Sequence, residues 1–363
     1  MKNLFITGAT GGIGREFIRV LLERTEDRLF LLVRASQALS PEKRIEKLLA
    51  KMGLNGEHKD RIRIFAGDIT QPRLGLAPQD WEVAVRETGE FYHSAALTSL
   101  GAPWEEAESV NLKGTLHSLE LANEAMNKGR LRRFFYFSTA YVAGSLTRIH
   151  SLEDELPENP KFANAYEATK FLAEKKVREE SMNGLPVTIF RPSIVVGNSE
   201  RGAISEFNVI YPFLRLFAHG LLKHLPARLR DSFNIVPIDF VVEASFALSR
   251  RDESLGKTFH LVTKNPPTLQ MLLRLKEEYG TFPPLEVVRP EDFSAEGLTS
   301  EEKAVFATLN PYLGYLGSSL TFDTKNSHHG LQGTRIPFPR TDQAFLKKIV
   351  DFAIEKGYLL KPS

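Results

Sequence analysis

Residues 3–23 read NLFITGATGGIGREFIRVLLE, and within them the stretch Thr7–Gly14, TGATGGIG, decides the fold. The apolar run Asn3-Leu4-Phe5-Ile6 before it reads as a short strand, and Arg15–Glu23 after it has a helical pattern. Each glycine has its own use in such a strand, turn and helix. Gly8 permits a tight turn, Gly11 and Gly12 let backbone approach phosphate oxygens with no Cβ between, and Gly14 lets helix and strand pack closely. The helix start adds unpaired N–H groups and the positive end of its dipole. The unit is therefore expected to hold the pyrophosphate of a dinucleotide.

A chain of 363 residues exceeds the usual size of one domain. We expect an α/β fold, a Rossmann doubly wound parallel sheet with a smaller C-terminal substrate lobe. A formal charge of +2, with no aromatic-interleaved basic run, argues against nucleic acid as a partner. The absence of Cys excludes disulfides and thiolate chemistry, and the His residues show no HExxH-like spacing, so no metal is expected. The chain opens on a core strand, and no apolar run nears the roughly 18 residues of a membrane span. The expected location is cytoplasmic, with no signal peptide.

Taken in order, Arg28–Val33 (RLFLLV) reads as a buried parallel strand that ends at Arg34. In dinucleotide folds the residue here faces the adenosine ribose, and an Arg in place of an acid favours a 2′-phosphate. That predicts NADPH. Ser40-Pro41 starts a helix running to about Lys51, and Arg44 on its first turn can supply a second guanidinium or stand as a solvated charge. Ile62–Ala66 is a third strand, after which Asp68 either accepts from the adenine amino group or caps a turn. Phe91–His93 is a fourth, leading into Ser94, Ala95 and Ala96, whose small side chains leave room for cofactor. The helix expected over Glu105–Lys128 contains Asn111, read as a local hydrogen-bonding residue.

Arg133–Phe137 (RFFYF) is a fifth strand and ends in Ser138-Thr139. Further on, Tyr166-Glu167-Ala168-Thr169-Lys170 opens a helix with Tyr166 and Lys170 on one face. A free phenol near pKa ~10 is a poor acid at neutral pH, and a nearby ammonium lowers that value. Tyr166 is then placed to give a proton to a carbonyl oxygen as hydride arrives, with Thr139 holding the same oxygen.

Taken together these residues resemble the extended short-chain dehydrogenase/reductases, and more narrowly their fatty acyl-CoA reductase and thioester reductase branch, with its male sterility type NAD-binding domain. The strings TGATGGIG, LLVRAS, GDIT, HSAA, NLKGT, FSTAYVAG, YEATKFLAE, FRPSIVVG and NIVPIDFV carry the resemblance in order across residues 4–242. It implies a catalytic set of Thr139, Tyr166 and Lys170, the hydroxyl role falling on Thr139 rather than Ser138. It implies an NADPH site built from Thr10, Gly11, Gly12, Ile13, Arg34, Arg44, Asp68, Ile69, Ser94, Ala95 and Ala96. Pro192 and Ile194 would face the nicotinamide end, and Lys170 would hold the nicotinamide ribose. The implied reaction is NADPH-dependent reduction of an acyl thioester, on CoA or an acyl carrier protein, to aldehyde or on to alcohol. Two alternatives use the same chain differently: an aldehyde, ketone, hydroxysteroid or sugar-type dehydrogenase, and an NADP-binding regulatory protein without turnover.

We divide the chain into an NADP-binding domain at 1–262, carrying a substrate-lobe insertion at 198–232, and a C-terminal lobe at 263–363. The insertion is apolar but punctuated by Arg215, His219, Lys223, His224, Arg228 and Arg230. It reads as an amphipathic cover whose basic edge meets CoA phosphates, an acidic carrier or an anionic membrane surface, or as an ordinary lobe helix with a solvated face. Beyond it, helical patterns are expected at Leu269–Tyr279 and Ala344–Lys356, a Pro-rich join at 282–284, and a strand-like run at Ser319–Phe322.

Overall fold

The structure, a computed structural model, describes residues 1–54, 56–144, 150–275, 279, 285–316 and 320–360. The expected join at 282–284 lies outside the described residues, as do Ser319 and residues 276–278.

Seven strands form the central sheet: β1 (Asn3–Thr7), β2 (Arg28–Val33), β3 (Ile62–Ala66), β4 (Glu90–His93), β5 (Arg133–Phe137), β6 (Val187–Pro192) and β7 (Thr258–Leu261). All pair in parallel, in the order β7-β6-β5-β4-β1-β2-β3. The chain winds outward one way from β1 to β3, then crosses back and runs the other way from β4. The crevice at the carboxyl ends of β1 and β4 is the switch point where such sheets bind ligands. Both faces of the sheet are covered, which is why RLFLLV and RFFYF read as continuous apolar runs rather than alternating ones.

Helices α1 (Gly12–Arg24) and α2 (Pro41–Lys51) cover one face, and α3 (Pro78–Glu87), α4 (Gly114–Asn127) and α5 (Ala165–Met182) the other. Ser40 caps α2 by accepting from the Lys43 N–H, with Pro41 in the first turn. The start of α5 is a reciprocal cap. Asn164 accepts from the Glu167 N–H at 3.0 Å, and the Glu167 carboxylate accepts from the Ala163 N–H at 2.9 Å. That cap fixes where Tyr166 leaves the helix.

The single helix expected over Glu105–Lys128 is interrupted. A short helix at Trp104–Ala107 gives way to a π-helical turn, Glu108–Lys113, before α4 begins. The buried Asn111 amide is the physical reason: it accepts from the Leu97 N–H at 2.8 Å and donates to the Leu97 carbonyl and Thr169 Oγ1 at 3.2 and 3.0 Å. Widening the turn aims this side chain at the loop after β4.

A second core joins the insertion to the C-terminal region. Helix α6 (Ile210–Ala218) buries Ile210, Tyr211, Phe213 and Leu214 in one cluster with residues of α8 (Ser300–Leu316) and α9 (Gln343–Glu355), with helix α7 (Ile238–Ser249) lying on the main sheet between them in sequence. The helix expected at Leu269–Tyr279 spans Leu269–Arg274, and Thr321–Phe322 pairs in parallel with His150–Ser151. The last segment then returns to the main sheet, where Leu331 joins the α1 face. Glu153 fastens that return. Its carboxylate accepts from Ser327 Oγ at 2.6 Å, the Ser327 N–H at 3.1 Å, the Asn326 N–H at 2.5 Å and the His260 N–H at 2.8 Å.

Part of the basic edge of the insertion pairs, at the surface, with acids of the same lobe. Arg228 pairs with Glu291 at 2.8 Å, Lys223 with Glu302 at 4.0 Å, and His224 lies 3.5 and 3.6 Å from Glu286 and Glu302. Arg215 stacks its charge over the Tyr358 ring at 5.3 Å. Lys223, His224 and Arg228 therefore meet the carboxylates of their own lobe.

Candidate active site

The glycine turn divides its labour as its positions demand. Gly8 adopts φ +76°, and a Cβ there would sit 2.6 Å from the Ala95 nitrogen. A Cβ at Gly14 would overlap the Gly8 carbonyl oxygen. At Gly11 and Gly12, by contrast, a Cβ would meet nothing closer than 3.4 and 3.9 Å, and both residues line the cleft above the sheet. Packing does not require glycine at these two positions. The space they leave belongs to the cleft, as a backbone cradle for a phosphate group requires.

One cleft gathers Gly8, Gly11, Gly12, Ile13, Gly14, Ser94, Ala96, Thr139, Tyr166, Lys170, Pro192 and Ile194. Its far wall is largely apolar: Leu100, Tyr141, Ile204, Val209 and Tyr315. Thr10, Ala95, Arg34, Arg44, Asp68 and Ile69 lie off this cleft. Four of them form a neighbouring cluster, in which Arg44 donates to Thr10 Oγ1 at 3.0 Å and to the Arg34 carbonyl, while Arg34 pairs with Asp68 at 3.6 Å. The Arg34 side chain is 66% exposed, so its charge is available to a ligand. Asp68 does cap a turn, accepting from both the N–H and the hydroxyl of Thr70 at 2.9 Å. Ile69 packs on Gly114, and its carbonyl meets His117 Nδ1 at 2.8 Å. The Ala95 N–H meets Thr7 Oγ1 at 3.4 Å.

Thr139 follows the end of β5 by two residues and caps the short turn after it, its hydroxyl accepting from the Tyr141 N–H at 3.3 Å and donating to the Pro192 carbonyl at 3.5 Å. Tyr166 is half-buried, and its loss of solvent pushes the phenol up to about 12, the reverse of the lowering expected from the Lys170 ammonium and against the lowering effect of its contact with the Thr139 hydroxyl. Lys170 is buried too, and its ammonium donates to Tyr136 Oη at 2.9 Å and to the Phe137 carbonyl at 2.7 Å. Burial drives Lys170 down to about 7, with Glu174 opposing it. Lys170 thus acts in the cleft from a seat on β5, one helical turn from Tyr166.

Several supporting residues escaped the sequence reading. Tyr136 shares the α4 and α5 side of β5 with Phe134, whereas Phe135 and Phe137 face α1. The alternation of RFFYF contains that information, but one hydroxyl in an apolar strand is a faint signal. Glu174 continues the stripe Tyr166, Lys170 at the same spacing of four. It accepts from Ser138 Oγ at 2.5 Å and from the guanidinium of Arg191 at 2.6 Å. Burial alone would raise it, yet Arg191, Arg178 and Ser138 hold it down to about 2. Arg191, next to the cleft residue Pro192, is spent on this pair and on the carbonyls of Leu152, Glu153 and Glu155.

This strand order, cradle and Thr139, Tyr166, Lys170 cleft define an oxidoreductase of the extended short-chain dehydrogenase/reductase type that binds a nicotinamide cofactor. The family model described as Male sterility protein, an NAD-binding domain, matches residues 6–245, and the chain belongs to that family. It is similar to the nonribosomal peptide synthetase asaC of Aspergillus flavus, 30% identical over 72% of this chain and 26% of that protein. It is similar to the fatty acyl-CoA reductase wat of Drosophila melanogaster, 29% identical over 68% of this chain and 53% of that protein. The chain thus spans about a quarter and about half of these two relatives. Among solved structures, the terminal R domain from the myxalamid PKS-NRPS biosynthetic pathway superposes with a TM-score of 0.86 at 28% identity, covering 100% of this chain and 93% of that one. No helix among the described residues is long and apolar enough to cross a membrane.

Proposed function

We propose that this chain is an NADPH-dependent reductase of acyl thioesters, yielding an aldehyde and a free thiol, with reduction on to the alcohol as a further step. The observation that carries this reading is the single cleft that joins the phosphate cradle at Gly11 and Gly12 to Tyr166 and Thr139 and then to an apolar wall. A bound nicotinamide would supply the hydride. The chain's own residues do the remaining work.

Thr139 and Tyr166 converge at the mouth of the apolar wall, where they hold the carbonyl oxygen of the acyl group. With its phenol raised to about 12, Tyr166 keeps its proton throughout the neutral range and is a donor rather than a base. Gly8, Thr10, Gly11, Gly12, Ile13 and Gly14 hold the pyrophosphate, and Ser94, Ala95, Ala96 and Ile69 line the adenosine side. Pro192 and Ile194 border the nicotinamide end. Arg34 and Arg44, already joined through the Arg34 carbonyl, are the guanidinium pair for a 2′-phosphate, which is the basis for preferring NADPH. Residues 1–262 supply the cofactor half, while 198–232 and 263–363 supply the acyl half through the core they share. The names of the relatives support both sources of thioester, CoA and a carrier protein.

The test is NADPH oxidation with acyl-CoAs of increasing length, with acyl carrier thioesters and with matched aldehydes, a thiol reagent reading the released group. Oxidation with stoichiometric thiol release establishes thioester reduction. Oxidation by aldehydes alone moves the chain to simple carbonyl reduction.

A further inference from the structure

Lys170 has three ammonium protons, and the protein takes two of them. Tyr136 Oη accepts one and the Phe137 carbonyl another, while the Tyr136 ring lies under the charge at 4.3 Å from its centroid. One N–H is left for the cleft that Lys170 lines.

What lies behind Tyr136 decides how it meets that ammonium. Thr115 lies beside its hydroxyl and donates its own proton to the Asn111 carbonyl at 2.6 Å, because a carbonyl can only accept. Thr115 therefore has no proton left to give Tyr136, and it accepts from His93 Nε2 at 3.1 Å. With the ring proton on Nε2, the neutral His93 ring accepts at Nδ1 from Thr7 Oγ1 at 2.7 Å. Ser118, also 3.2 Å from Nδ1, spends its proton on the Gly114 carbonyl. Every proton in this buried train has one consistent direction. Tyr136 Oη accepts from Lys170, and Thr115 beside it can only accept the phenol proton, which is the opposite of a phenol donating to the nitrogen lone pair of a neutral amine.

We propose that Tyr136, oriented by Thr115 and His93, is a positioning residue that holds Lys170 as an ammonium with a single N–H directed into the cleft. It rests on the placement of Lys170 in the catalytic set, though not on the identity of the substrate. The charged and titratable groups around Lys170 are His93 on β4, Tyr136 on β5, Tyr166 and Glu174 on its own helix, and Arg191 on β6 behind Glu174. His93 is driven to about 3 by burial and by Lys170, so it stays neutral, in keeping with the tautomer the train requires. Burial brings Lys170 to about 7, with Glu174 opposing it, so a change in what its ammonium touches shifts its charge near neutrality.

The experiment is an NMR titration of Lys170 Nζ in the full chain labelled with 15N-lysine, the resonance identified by its loss in Lys170→Arg. Tyr136→Phe keeps the ring and removes only the hydroxyl. The expected result is a midpoint lowered by about one unit, a tenfold loss of ammonium on the alkaline side, with the alkaline limb of turnover moving the same way. Thr115→Val frees the Tyr136 proton and shifts the midpoint in the same direction, and it carries the test if Tyr136→Phe does not fold. An unmoved midpoint in a folded variant overturns the proposal. The titration needs no substrate, so a protein inactive on thioesters sinks the function proposed above without touching this result.

Discussion

The carboxylate of Glu174 and the guanidinium of Arg191 meet at 2.6 Å with neither side chain reached by solvent. Such a pair is costly to break, because removing one partner leaves the other charge buried and alone. Glu174→Ala is expected to destabilise the fold by about 3–5 kcal/mol. Denaturant unfolding of the two proteins checks this, and a loss below about 1 kcal/mol would contradict a buried pair.

The same pair makes a pH prediction. Glu174 sits near 2 in the folded chain against an ordinary 4.5, so the unfolded state binds the proton more readily. Its stabilising contribution is full above about 4.5 and is lost as pH falls toward 2. Melting temperature followed from pH 6 down to pH 2.5 should fall more steeply in the parent than in Glu174→Gln, whose amide does not titrate.

Tyr166→Phe should cut turnover by roughly 10²–10⁴-fold while leaving NADPH affinity nearly intact. Because the parent phenol lies near 12 and Lys170 near 7, the alkaline loss of activity in the parent should follow Lys170 and not Tyr166. Steady-state rates across pH 5–10, beside NADPH titration by fluorescence, separate the two. An active phenylalanine variant removes the proposed acid.

Arg34→Ala should weaken NADPH binding by about 1.5–3 kcal/mol, the scale of a charge-assisted contact, and leave NADH almost unchanged. Calorimetric titration with each cofactor is the measurement. Equal losses for both would refute a 2′-phosphate contact.

Gly12→Ala and Gly14→Ala should fail in opposite ways. The first has room for its methyl within the fold and should keep the melting temperature while losing cofactor affinity. The second collides with the Gly8 carbonyl and should lose stability first. If Gly12→Ala bound NADPH normally, the cradle would have to lie elsewhere.

The strands from Arg28–Val33 to Arg133–Phe137 were legible because a sheet covered on both faces writes itself as apolar runs, and the glycine turn because its constraints are local. The convergence of Thr139, Tyr166 and Lys170 on one cleft followed from strand ends and helical spacing. The π-helical turn was not legible, since the bonds of Asn111 to Leu97 and Thr169 exist only once two other elements arrive. Nor was the seat of Lys170. Sequence spacing pairs Lys170 with Tyr166, whereas packing hands its protons to Tyr136 and Phe137 on a strand more than thirty residues earlier. The surface pairing of Lys223 and Arg228 was hidden for the same reason, because their acids, Glu302 and Glu291, lie more than sixty residues on in sequence.

Glu153 binds the backbone of Asn326 and Ser327 and, through His260, the edge strand of the main sheet. Anyone building chimeras that trade C-terminal lobes between relatives must therefore treat residues 150–154 and 321–327 as one cassette from one parent. A crossover placed at 262 would join a carboxylate from one lineage to a loop evolved against another, and the hybrid would lose its seam before its specificity could be read.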